Sequence, residues 1–385
     1  MRVLTIFGTR PEAVKLCPVV QELQRHNEIE SRVCVTAQHR EMLDQVLSIF
    51  NVQPHIDLNL MRPDQSLADI TARILTELNP ILEQEKPDWI LVQGDTTTVM
   101  AAALLGYYQK IKVGHVEAGL RTYNRWQPFP EEINRKIAGI VADLHFAPTE
   151  HSRNNLLKEG IPDWRIKVTG NPVIDALNQI ALLPTPATIE QLLEDIGIHT
   201  GEKKLVLVTA HRRENFGKPL QHICEAIREL ADDLGDKIHL VYPVHLNPNV
   251  QNTVYPILQN HPAISLIPPA GYDEMVALEK NASLVLTDSG GIQEEVTAFG
   301  IPTLVLRNKT ERPEGVEAGF LHLVGDDKSL ICQKAIELLS DQSGLEELKS
   351  KDNPYGDGYA AKHIVDALLA YEDLEEQSTI DGNSL

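Results

Sequence analysis

Residues 286–295 read Leu286-Thr287-Asp288-Ser289-Gly290-Gly291-Ile292-Gln293-Glu294-Glu295. The apolar run at 284–286 predicts a strand, which stops at a Ser-Gly-Gly turn. A helix-like stretch with two carboxylates follows. Small residues at a strand-to-helix turn let backbone N–H groups and a helix N-terminus meet a phosphate. A carboxylate one turn further on can accept hydrogen bonds from a ribose. The stretch points to a nucleotide at the carboxyl edge of a parallel sheet.

The same rhythm runs outward from it. Residues 3–7 are an apolar run ending in Gly8-Thr9-Arg10-Pro11, and 12–25 have helical spacing. Strands are expected at 32–36, 89–92, 112–116 and 144–147, with helices at 38–50, 98–108 and 133–142. Between 170 and 200 the pattern weakens, and Pro172, Pro184 and Pro186 suggest a linker followed by a short helix over 188–196. Strands then return at 204–209, 239–241, 264–267, 284–286 and 303–306. Alternation of this kind argues for an α/β fold with parallel, doubly wound sheets. The near-continuous apolar run at 204–209 suits a strand buried on both faces. With 385 residues the chain exceeds one ordinary core, so two Rossmann-like halves are expected. A turn cluster at 353–358 precedes a helical stretch over 359–371, and the tail from 372 is acidic and polar.

The formal net charge is -20. Such a surface repels nucleic acid and anionic membranes, so an anionic nucleotide needs a local basic cluster. The four cysteines, Cys17, Cys34, Cys224 and Cys332, form no C-x-x-C pair, which suits a reducing compartment. The N-terminal apolar run is too short for a signal peptide, and no stretch approaches a membrane span. A cytoplasmic location is expected.

Polar residues cluster at the expected strand ends. Arg10 and Lys15 follow the first strand, Asp95 another, and Glu117 a third. Asp95 by itself reads first as a helix cap. Glu131 and Glu132 follow Pro130 at a helix start, where acidic residues also suit the dipole. Asp95 and Glu117 converge at one sheet edge, within reach of Glu131. Carboxylates sharing a cleft push at least one pKa upward, which suits acid/base chemistry. In the second half His211 and Arg212 end a strand, and Arg312 lies just past another. Surface charge is an equal account of Arg213 and Arg307, and His245 reads as a ligand or a loop hydrogen bonder. No metal-ligand spacing, P-loop or G-x-G-x-x-G is present, so a metal, ATP hydrolysis and a nicotinamide cofactor are not expected.

The strings FGTRPEAVKL, TAQHREMLDQVL, QGDTTT, VGHVEAGLRT, PFPEEINR, TGNPVIDAL, TAHRRENFG, VYPVHLNPNV, LTDSGGIQEE, ERPEGVEAG and NPYGDG run in this order from Phe7 to Gly358. Together they resemble the non-hydrolysing UDP-N-acetylglucosamine 2-epimerases. The resemblance implies a GT-B-like fold, in which two Rossmann-like domains face each other across a cleft and the last helix returns to the first. The implied domains are 1–170 with 358–375, and 171–357. The implied reaction interconverts UDP-GlcNAc and UDP-ManNAc without NAD, through elimination of UDP to 2-acetamidoglucal and its re-addition. This would supply ManNAc for surface polysaccharide.

By the same resemblance, Asp95, Glu117, Glu131 and His211 are catalytic. Arg10, Lys15, Asp95, Glu117, His211, Ser289, Gly290, Gly291, Glu295 and Arg312 contact UDP or the sugar, with Glu295 on the ribose. Relatives often place Gln and Phe in the uracil loop, where this chain has Ala270 and Met275; Met275 is expected to cover the uracil. Gln38, His39 and Arg212 match part of a second UDP-GlcNAc site for activation, and a homodimer is implied. The competing readings are a retaining UDP-sugar glycosyltransferase, a hydrolysing epimerase and a catalytically silent sugar-nucleotide sensor.

Overall fold

The computed structural model describes residues 1–36, 40–60 and 65–371. Contacts divide the chain into two units, Met1–Ala176 with Tyr355–Leu385, and Leu177–Pro354. Residues 171–176 and 355–357 therefore belong with the first unit, a few residues from the expected boundaries.

The first unit holds β1 (Arg2–Phe7), β2 (Glu30–Val35), β3 (Ile56–Asp57), β4 (Trp89–Gln93), β5 (Lys112–Val116), β6 (Leu144–Ala147) and β7 (Ile166–Val168). Their order in the sheet is β3-β2-β1-β4-β5-β6-β7. The second unit holds β8 (Lys204–Thr209), β9 (Ile238–Pro243), β10 (Ile264–Ile267), β11 (Ala282–Thr287), β12 (Thr303–Val305) and β13 (Leu321–Leu323). Their order is β10-β9-β8-β11-β12-β13. Every neighbouring pair is parallel. Strand order reverses between β1 and β4, and again between β8 and β11. Such a switch point opens a crevice at the carboxyl ends of the strands.

Alternation along the strands builds a core on each face. In the second unit Val206 and Val208 pack with Ile223, Ile227 and Leu230 of the helix Lys218–Leu234. Leu205 and Leu207 point the other way, into a cluster with Val285 and Val305. In the first unit Leu4, Ile6, Ile90 and Val92 meet Ile74, Leu78 and Leu82 of the helix Leu67–Glu85. On the helix Thr97–Tyr108, a Cβ at Gly106 would lie 2.9 Å from Val113 Cγ2. Small residues there let the helix lie close to the sheet.

Departures from the sequence expectations include two helices. The segment expected as a linker contains a helix, Pro172–Ala181. Pro172 opens it, as proline does at a first helical position, and Asn171 Oδ1 accepts from Val173 N–H at 3.1 Å. The helix Leu67–Glu85 was not anticipated. Its signals are present in the capping box Ser66/Asp69 and in Ile70, Ile74, Leu78 and Leu82, four apart, but Pro80 interrupts the pattern.

The last helix, Ala360–Leu369, packs on the helix Arg10–Arg25. Asp175 anchors its start, accepting from Ala360 N–H at 3.1 Å and Ala361 N–H at 2.9 Å. All four cysteines are buried and free. Among the described residues no helix is long and apolar enough to cross a membrane.

Candidate active site

In the first unit the candidate groups gather at the carboxyl ends of β1, β4 and β5. Glu117 follows β5 and adopts a left-handed backbone, φ 61°. A non-glycine residue there is strained, and such strain clusters at functional sites. The residue is 8% exposed. It accepts from Lys15 Nζ, from Gln93 Nε2, and from Asn171 Nδ2 at 3.0 Å. Lys15 is itself buried on the helix after β1. One cation and two amides thus converge on one carboxylate from three separate segments.

Asp95 follows β4. Arg135 Nη2 approaches its Oδ2 at 2.8 Å, and Asn134 Nδ2 donates to its carbonyl at 3.0 Å. Both partners lie on the helix Glu131–Val141, so Asp95 is tied to the helix that Glu131 begins. The helix-start reading left Glu131 and Glu132 equivalent and the resemblance chose Glu131; the structure gives Glu132 a separate task. Glu132 is 1% exposed and accepts from the N–H groups of Thr122 and Tyr123, both at 3.1 Å. That is a structural task. Glu131 is half-buried at the helix start.

Glu12 has a role that sequence reasoning missed. Its Oε2 accepts from Gly8 N–H at 2.9 Å and Thr9 N–H at 2.7 Å, and its Oε1 from Thr96 Oγ1 at 2.7 Å. It therefore joins the turns after β1 and β4. Burial pushes this carboxyl above its ordinary pKa, against those hydrogen bonds. The turn after β1 thus has two of its N–H groups already engaged. Arg10, the first residue of the following helix, is half-buried.

In the second unit the turns after β8 and β11 meet. Asp288 is fully buried, and its Oδ2 accepts from His211 N–H at 2.9 Å, Arg212 N–H at 2.8 Å and Asn215 Nδ2 at 2.9 Å. Asp288 was another positioning group missed in the sequence, although an acid directly before Ser-Gly-Gly was visible. His211 stacks on His245, with ring centroids 5.3 Å apart. Burial lowers the His211 pKa, His245 and Arg212 push the same way, and Asp288 opposes them. Burial also lowers the Arg212 guanidinium, helped by Arg307 and Arg312. Three arginines thus concentrate positive charge at this edge of an acidic protein. Of the two arginines that surface charge would explain, Arg213 is exposed, whereas Arg307 is half-buried and bonds Glu214 at 2.5 Å.

The helix Gly290–Ala298 starts at Ser289, whose side chain does not cap it. Arg312 Nε donates to Glu294 at 2.8 Å, and its guanidinium lies against Gly290, where a Cβ would come 2.7 Å from Nη1. A Cβ at Gly291 would meet no protein atom within 4 Å. Glu295, one turn on, is 7% exposed. Met275 is not a loop residue: it lies in the helix Tyr272–Asn281, half-buried, and packs against the core. Ala270 is buried just before that helix. Gln38 and His39 lie outside the described residues. No group of three or more His, Cys, Asp or Glu suited to a metal occurs among the described residues.

The family model for UDP-N-acetylglucosamine 2-epimerase matches residues 21–369. The chain belongs to the UDP-N-acetylglucosamine 2-epimerase family. It is 52% identical to the UDP-N-acetylglucosamine 2-epimerase of Yersinia pestis over 374 residues, 97% of this chain and 99% of that one. It is 50% identical to the Salmonella typhimurium enzyme of the same name, over 96% of this chain and 99% of that one. The crystal structure of UDP-GlcNAc 2-epimerase from Neisseria meningitidis bound to UDP-GlcNAc superposes with a TM-score of 0.90 at 49% identity, covering 96% of this chain and all of that one. UDP-N-acetylglucosamine 2-epimerases are isomerases, so membership of the family favours an isomerase over a glycosyltransferase built on the same fold.

Proposed function

We propose that the chain catalyses the reversible C2 epimerisation of UDP-N-acetylglucosamine to UDP-N-acetylmannosamine. The route is anti elimination of UDP to 2-acetamidoglucal, then syn re-addition. A carboxylate takes the C2 proton, its electron pair forms the C1–C2 double bond, and the C1–O bond leaves with UDP. A second carboxylic acid protonates the opposite face of C2, and the UDP oxygen reattaches to C1. Asp95, Glu117 and Glu131 share these proton transfers. The observation that carries the reading is Glu117, buried on a strained backbone and gripped by Lys15, Gln93 and Asn171.

The leaving group needs its developing phosphate charge stabilised. We assign this to Arg10, His211, Arg312 and the turn Ser289-Gly290-Gly291. Glu12 already occupies two N–H groups of the turn after β1, whereas the start of the 290–298 helix lacks a side-chain cap. Glu295 takes the ribose hydroxyls, and Met275 with backbone near Ala270 takes the uracil. No nicotinamide is required, because no hydride moves.

The enzyme would work in the cytoplasm as a homodimer and supply ManNAc for surface polysaccharide. Gln38, His39 and Arg212 would bind a second UDP-GlcNAc as activator. Sigmoidal rates in UDP-GlcNAc are then expected, and hyperbolic rates would reject the activator. The reaction itself is tested by NMR in deuterated water. UDP-ManNAc should appear carrying deuterium at C2, and Glu117→Gln should slow this by roughly a hundredfold or more. Epimerisation that retained the original C2 hydrogen would exclude the route.

A further inference from the structure

We propose that Asn171 is a positioning residue for Glu117, fixed by the place where the chain passes out of the first unit and back into it. The proposal rests on the catalytic role given to Glu117 above. Asn171 follows Gly170 and lies five residues before the boundary at Ala176/Leu177. Its backbone N–H donates to the carbonyl of Tyr355 at 2.7 Å, on the returning strand of chain. A Cβ at Gly170 would lie 3.2 Å from Gly356 Cα, so the outgoing and returning segments touch backbone to backbone. Gly170 and Gly356 also have positive φ, 81° and 122°.

The side chain of Asn171 is equally constrained. Oδ1 accepts from Val173 N–H at 3.1 Å and starts the helix Pro172–Ala181. An amide whose oxygen takes an N–H must turn its nitrogen the other way. That nitrogen donates to Glu117 Oε1 at 3.0 Å. Lys15 reaches the same oxygen, and Gln93 the other. Lys15 is a long chain with several rotors, whereas Asn171 is short and pinned at its backbone and its oxygen. It is therefore the donor that fixes the plane of the carboxylate. A base out of line by a fraction of an ångström loses rate without losing substrate affinity.

Two variants test this. Asn171→Ser keeps a helix-capping oxygen and the backbone bond but cannot reach Glu117. Asn171→Asp keeps the cap and places a like charge against Glu117 Oε1. Both should lower kcat roughly tenfold or more while KM stays within about twofold. Asn171→Asp should also move the acidic limb of the kcat–pH profile upward by about one unit, since a neighbouring anion raises a carboxyl pKa. A purely structural residue would lower thermal stability and disturb KM with no displacement of that limb. Glu117→Gln is assayed beside them. If it is as active as the unaltered chain, the catalytic role of Glu117 falls, and this inference with it. If Glu117→Gln is inactive but Asn171→Asp keeps full kcat and an unmoved acidic limb, the positioning role alone is overturned.

Discussion

At the scale of single residues, two adjacent glycines separate packing from binding. Gly290 is needed by the protein, because a Cβ there would come 2.7 Å from Arg312 Nη1 and 2.9 Å from Cζ. Gly290→Ala should displace the guanidinium and raise KM for UDP-GlcNAc roughly tenfold, equivalent to about 1.4 kcal/mol. At Gly291 an added Cβ meets no protein atom within 4 Å. Gly291→Ala should leave the thermal midpoint unchanged but weaken UDP binding, as read by calorimetry. Undiminished UDP affinity in Gly291→Ala would remove this turn from the phosphate site. Glu12 and Asp288 act at the same scale, each spending a carboxylate oxygen on backbone N–H groups so that a turn keeps its shape.

At the scale of elements, the helix Ala360–Leu369 depends on a cap supplied from far away in sequence. Both oxygens of Asp175 accept from its first N–H groups. Asp175→Ala leaves these donors without a partner and should cost about 1 kcal/mol. The check is amide hydrogen exchange over 360–369, where protection should fall selectively. Uniform loss across the first unit would indicate a global effect instead. The helix Thr97–Tyr108 presents a different case. It is apolar nearly all round, with Ala101, Ala102, Ala103 and Leu105 buried and Tyr107 and Tyr108 exposed. Met100, Leu104, Tyr107 and Tyr108 fall on one outward stripe. Beside it lies an apolar groove of about 440 Å³, lined by Leu67, Leu75, Met100 and Pro130 among others. This face is where the proposed pairing with a second copy is tested. Leu104→Lys should yield monomers in sedimentation experiments, and an unchanged dimer would move the interface elsewhere.

At the scale of the whole molecule, stability should depend on pH through buried imidazoles. Burial holds His115 down at about 4 and His145 at about 3. His239 is likewise lowered to about 4. A base with a depressed folded pKa contributes stability that is full above its unfolded pKa, near 6.5, and is lost as pH falls toward the folded value. Asp175, raised by burial to about 6, works in the opposite sense and favours the folded state as pH falls. Glu12, also raised, acts with it. Burial also lowers His55, His211 and His322, so the lowered imidazoles outnumber the two raised carboxyls and stability should fall between about pH 6 and 4.5. Urea midpoints measured across that window should fall. A flat or rising midpoint would mean that the imidazoles accept protons in the folded state.

Much of this protein is legible in its sequence because the signals are local. Strand runs, Gly-rich turns and the order of the motifs specify two parallel α/β halves, since both-face burial demands continuous apolar strands and a switch point demands polar residues at their ends. Asp95, Glu117, His211 and Ser289-Gly290-Gly291 were visible for that reason. Even the helices at 67–85 and 172–181 carried cap signals, obscured by Pro80 inside the first and by Pro172 at the start of the second, where a helix tolerates proline. What only the tertiary structure decided are the pairings across sequence. Nothing local says that Lys15 and Asn171 meet on Glu117, that Arg135 takes Asp95, that Asp288 holds the His211 turn, or that Asp175 starts the final helix. Nor does spacing alone divide Glu131 from Glu132. Those outcomes depend on which strand ends become neighbours, and sheet order sets that only once the chain has folded.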